Sequence, residues 1–72
     1  MEVYKNISRR SSVYAFVIGL DFISVQFKTN GMVYKYTYAR AGRNHVEMMK
    51  RLAQRGLGLN TYIKKYVDKR YG

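Results

Sequence analysis

The chain has no cysteine, so disulfides and thiolate metal sites are excluded as staples. Carboxylates are nearly as scarce: Glu2, Asp21, Glu47 and Asp68 are the whole set. Scattered in this way, they offer no cage for a hard cation and no acid–base pair at a recognisable spacing. The longest apolar runs fall far short of the roughly 20 residues of a membrane span. The opening MEVYKNISRRSS lacks the apolar block of a secretory leader. These absences point to a cytoplasmic, non-enzymatic domain with no cofactor and no metal.

Two isolated features suggest chemistry and do not sustain it. His45 is the sole histidine, and Glu47 is two residues away. Residues two apart on a helix do not face each other, so a surface histidine is expected. Gly56-x-Gly58 has neither the preceding strand nor the third glycine of a dinucleotide loop. It is better explained as a helix terminus.

What the chain does have is positive charge. Fourteen Lys and Arg over 72 residues give a net charge of +10. A field of that sign makes polyanions the natural partners. The length allows one small domain, which buries only about 60% of its unfolded surface and is marginally stable.

The element pattern is legible along the chain. Residues 1–12 hold Lys5, Arg9 and Arg10 among serines and suggest a mobile basic N-terminal arm or a short lead-in. The remainder, 13–72, forms one domain. Val13 to Ile18 is a continuous run of strand formers. Gly19-Leu20-Asp21 makes a tight connection to a hairpin, Phe22–Lys28 and Met32–Tyr38, with Asn30-Gly31 as its turn. A two-residue turn there pairs Lys28 with Val33, Phe27 with Tyr34, Val25 with Tyr36, and Ile23 with Tyr38. Tyr34, Tyr36 and Tyr38 then share one face, because strand side chains alternate. The other face takes Ser24, Gln26, Lys28, Val33, Lys35 and Thr37.

Two helices are expected beyond the hairpin. Arg43–Arg55 carries Val46, Met49, Leu52 and Ala53 on one stripe, and Gly56 is its C-terminal cap. Asn60 is placed to cap a second helix, Thr61 to Lys69, with Ile63, Tyr66 and Val67 inward. The expected fold is α+β: a three-stranded antiparallel meander with both helices packed on one face. A domain this small cannot leave the tyrosine face in water, since each large buried side chain contributes roughly 1.5–3 kcal/mol. The tyrosines are therefore expected mainly under the helices. The alternative is an aromatic platform on which bases stack.

The ordered signals resemble the KTSC domain, found at the C-terminus of some lysyl-tRNA synthetases and alone in small bacterial proteins. Its central Tyr-x-Tyr is matched by Tyr34-Lys35-Tyr36. Around it, Ser11-Ser12 leads into the first strand, Val25-Gln26-Phe27-Lys28 matches the second, and Gly31 precedes the third. Gly58-Leu59-Asn60, Ile63 and Tyr71 follow the family's closing segment. The first connection is shorter here, and Ala39-Arg40-Ala41-Gly42 replaces a proline-containing turn. The resemblance implies RNA binding and no established enzymatic activity.

The cations fall into three groups. Lys28 and Lys35 lie on the open hairpin face; Arg40, Arg43, Arg51 and Arg55 line the first helix; Lys64 and Lys65 stand with Lys69 and Arg70 near the end. Lysine and arginine hold phosphates through charge and released counterions, without a fixed motif. The expected function is RNA or DNA backbone binding, with RNA favoured. The competing reading is a protein-interaction or phage accessory module that meets an acidic protein. The basic amphipathic end could instead lie on an anionic membrane surface, but the core needs its apolar stripe. An exposed strand edge offers a route to a homodimer.

Overall fold

The computed structural model describes residues 1–71. β1 (Glu2–Val3), β2 (Val13–Ile18), β3 (Phe22–Phe27) and β4 (Val33–Thr37) form one antiparallel sheet in chain order. Then come α1 (Tyr38–Ala41), α2 (Arg43–Arg55) and α3 (Leu59–Tyr62), the last running into a π-helical turn, Ile63–Val67. The class is α+β. The meander of β2, β3 and β4 is the expected one, extended by a short first strand.

Local chemistry explains the main joints. The Gly19 N–H donates to the Phe22 carbonyl at 3.0 Å, closing the β2–β3 turn. A Cβ on Gly19 would fall 1.9 Å from a Phe22 ring carbon, so any other residue there would force that ring to move. A bulge between Val13 and Ala15 sets two residues of β2 against one of β3. It lets Val13 and Phe16, of opposite parity, both reach the core. α2 ends where expected: Gly56 is left-handed (φ 77°), and its N–H meets the Leu52 and Ala53 carbonyls.

The core lies between one sheet face and the helices. Val13, Phe16, Ile23, Val25 and Tyr36 meet Val46, Met49, Ala53, Leu59, Ile63 and Val67. The opposite sheet face has no helix on it and carries exposed Val3, Val33 and Lys35.

Five expectations need correction. The first twelve residues are no free arm. Glu2 and Val3 pair with Phe16 and Ala15. Tyr4 is buried, and its hydroxyl accepts the Leu59 N–H at 3.3 Å. The Ile7 N–H donates to the Gly56 carbonyl at 2.8 Å. An unpaired edge of β2 and the need to bury Tyr4 draw the segment in.

The hairpin register is also different. Ile23 faces Tyr36 and Val25 faces Tyr34, two residues from the expected pairing. The loop spans residues 28–32, closed by Gly31 N–H to Phe27 O (3.0 Å) and by Asn30 Oδ1 accepting the Met32 N–H (2.9 Å). Gly31 is left-handed (φ 69°), so Asn30-Gly31 still makes the turn, inside a wider loop. An even shift keeps every side chain on its face.

Tyr38 leaves the strand. Thr37 caps α1 by accepting the Arg40 N–H at 3.1 Å, and Tyr38 is the first residue of that turn. Finally, Asn60 caps nothing. It lies within α3, which begins after left-handed Gly58, and its Oδ1 accepts the Ser12 hydroxyl at 3.0 Å. Tyr66, expected inward, is exposed.

Candidate nucleic-acid interface

The tyrosines of the expected stripe occupy three environments. Tyr36 is core, 2% exposed. Burial pushes its phenol up to about 12, helped by the charge of Asp68 and by Tyr71 and Tyr34 nearby.

Tyr38 belongs to a closed polar corner. Its hydroxyl donates to Glu47 Oε2 at 2.6 Å, and Lys50 Nζ stands 2.8 Å from the same oxygen. Lys50 also donates to the Leu20 carbonyl at 3.1 Å. The bond to Glu47 raises the Tyr38 phenol. The bond from Lys50, then that from Tyr38, holds the Glu47 carboxyl below its ordinary value. Arg43 and Lys50 lie 5.7 and 5.5 Å from the centre of the Tyr38 ring.

Tyr34 opens onto a cleft of about 410 Å³ between the hairpin tip and the C-terminal turn. Phe27 meets Tyr34 edge-on at 5.6 Å, and Tyr71 lies tilted against it at 4.6 Å. Ser12, Asn60 and Asp68 add polar groups to the wall, and Lys64 and Lys69 add charge. The size is within the roughly 300–1,000 Å³ typical of ligand clefts.

The sequence-expected cations do not form one surface. Lys64 lines the cleft. Lys28 is exposed in the hairpin loop, its backbone N–H donating to the Ser12 carbonyl at 2.7 Å. Lys65 is exposed, its ammonium 5.4 Å from the Tyr66 ring. Lys35 is on the helix-free sheet face, 4.3 Å over the Phe22 ring. Arg40 is exposed on α1, and Arg43 is exposed at the start of α2. Arg51 and Arg55 continue the Arg43–Glu47 row along the outer side of α2 at helical spacing. The structure thus brings Lys64 together with Lys69 and separates both from Lys35.

His45 is half-buried, with Nδ1 2.7 Å from the Tyr62 hydroxyl and its ring stacked near Tyr66. Burial raises the Tyr62 phenol, as does Tyr66 beside it. This cluster pins the C-terminal turn to α2.

Sequence reasoning missed the cleft as a unit. Alternation marked Tyr34, but nothing local marks Tyr71, Asn60 or Ser12 as its neighbours. Those contacts close across the fold. No family model, curated protein or solved structure matches this chain.

Proposed function

We propose that this domain is a non-catalytic, cytoplasmic module that binds the phosphate backbone of nucleic acid, RNA in preference to DNA. The observation that carries the reading is uncompensated surface charge. Among the described residues the one ion pair is Lys50–Glu47, against a net charge of +10. Lys28, Lys35, Arg40, Arg43, Arg51, Arg55, Lys64 and Lys65 are all exposed. Groups of this kind gain affinity by releasing counterions from phosphates, whichever side they occupy. The resemblance to KTSC domains supports RNA over DNA. Among the described residues no helix is long and apolar enough to cross a membrane.

Titration with RNA, duplex DNA and heparin across a salt series tests this. The expected affinity is about 10⁻⁴–10⁻⁶ M at physiological salt, falling linearly in a log–log plot as salt rises. Absence of binding to both nucleic acids at about 50 mM salt would overturn the reading.

The helix-free sheet face favours a second reading. Val3, Ala15, Gln26 and Val33 form a cross-strand row there, with Lys35 beside it. Exposed Val3 and Val33 near the Lys35 charge suit an acidic protein partner, and β4 is an edge strand through which a homodimer could form. Binding to a defined acidic protein that survives high salt would favour this alternative.

A further inference from the structure

We propose that the Tyr34 cleft receives one unstacked base of a single-stranded RNA, so that the ligand is held by a base as well as by phosphates. The inference rests on the nucleic-acid reading above and names the form of nucleic acid.

The cleft combines three kinds of group. Its wall is aromatic: Phe27, Tyr34 and Tyr71 meet at centroid distances of 4.6 and 5.6 Å. Tyr34 is neither core nor surface but half-buried at the opening. An unstacked base stacks on an aromatic ring, and any base will do so. Half-buried Tyr34, packed against Phe27 and Tyr71, and exposed Tyr71 are the rings at the opening.

The second kind is a donor and an acceptor. Asn60 Oδ1 is occupied by the Ser12 hydroxyl at 3.0 Å. The remaining polar function of that side chain is its amide N–H pair. Asp68 supplies an acceptor on the same wall. The Watson–Crick edge of every base carries both a donor and an acceptor, so this pair fits that edge of an unpaired base.

The third kind is charge. Lys64 and Lys69 line the same cleft, and both are exposed. Lysines at the cleft would attract the phosphates flanking an inserted base. Asp68 is the one carboxylate among these residues, and it would repel a phosphate. The arrangement therefore favours a base, not a phosphate, in the interior. A paired base in a duplex has its edge taken and its faces stacked, so it cannot enter. The proposed ligand is accordingly a single strand.

The test compares three ligands of equal phosphate count on the native protein. They are a short single-stranded RNA, an abasic ribose-phosphate chain and an RNA duplex, measured by fluorescence anisotropy at low salt. The single strand is expected to bind roughly 5- to 150-fold more tightly than the abasic chain, the span of one stacked base. Tyr34→Ala should remove that margin and Tyr34→Phe should keep it. The Asn60 side-chain amide signals should shift in NMR spectra with the base-bearing strand and not with the abasic one. Equal binding of the abasic chain, or of the duplex, overturns the base site and leaves backbone binding intact. No binding of any of the three overturns both. The ligand comparison does not depend on how any variant folds.

Discussion

Tyr34, near the start of β4, and Tyr38, one residue past its end, are the same residue type and reach opposite outcomes. At one end Tyr38 donates to Glu47 at 2.6 Å, and Lys50 completes the group. At the other, Tyr34 faces a cleft of about 410 Å³ with Lys64 and Lys69 in its wall. The Tyr38 corner has answered its own polar groups and has little left for a ligand. The Tyr34 end has aromatic surface and positive charge still available. The lesson is that a tyrosine's use depends on which partners the fold brings to its ring and hydroxyl. Between the two ends, Tyr36 is the shared floor.

The largest effect should come from removing that floor's support. Ile23 is fully buried opposite Tyr36. Ile23→Ala should cost about 2–5 kcal/mol in urea unfolding. That is a large part of the roughly 4–11 kcal/mol expected for a domain of this length. A loss below about 1 kcal/mol would show that the two ends do not share one core.

Charge at the open end should matter more than charge at the closed one. Replacing Lys64 and Lys69 together by Gln should lower the salt slope of single-strand binding by about 1.4, at roughly 0.7 per phosphate contact. Lys5→Gln with Lys50→Gln removes the same charge elsewhere and should leave the slope nearly unchanged. Equal loss in both pairs would mean that net charge, not the cleft, governs binding.

Tyr36 allows a pH test. Its folded pKa is raised to about 12 from 10.0. A group raised in the folded state contributes fully below its unfolded value and loses that contribution as pH rises through the folded one. Stability should therefore fall between pH 10.0 and about 12, and Tyr36→Phe should flatten the fall. Urea midpoints across that window would show it. An unchanged slope in Tyr36→Phe would assign the fall to other groups.

The smallest effect belongs to the closed corner. Glu47 is depressed below its ordinary 4.5 by Lys50 and Tyr38. Its contribution is present above that value and is lost as pH falls through the lower folded pKa. Glu47→Gln should slightly flatten the acid limb of a melting-temperature profile, with no change in RNA affinity. A change in affinity would bring this corner into the binding surface.

Local signals were legible wherever neighbouring residues decide the outcome. Helix Arg43–Arg55 and its Gly56 terminus follow from apolar spacing and one left-handed glycine. Hairpin faces were legible because alternation is local, while the register was not. The Gly31 and Asn30 bonds widen the loop beyond the two-residue turn that the Asn-Gly pair signals. Residues 1–12 looked like an arm because their charge is evident in the sequence and the partners of Tyr4 are not. Asn60 looked like a cap because Ser12, its partner, is distant along the chain.

By itself the amino-acid sequence determined the positive charge, the α+β class, the strand faces and the main helix, since composition and periodicity act over a few residues. Tertiary structure alone decided that the N-terminal segment joins the sheet and that the tyrosine stripe divides among core, polar corner and cleft. It also brought Ser12, Tyr34, Asn60, Lys64 and Tyr71 to one opening. The physical reason is that burial and hydrogen-bond satisfaction are settled by contacts between distant segments. Only the closed chain has those contacts.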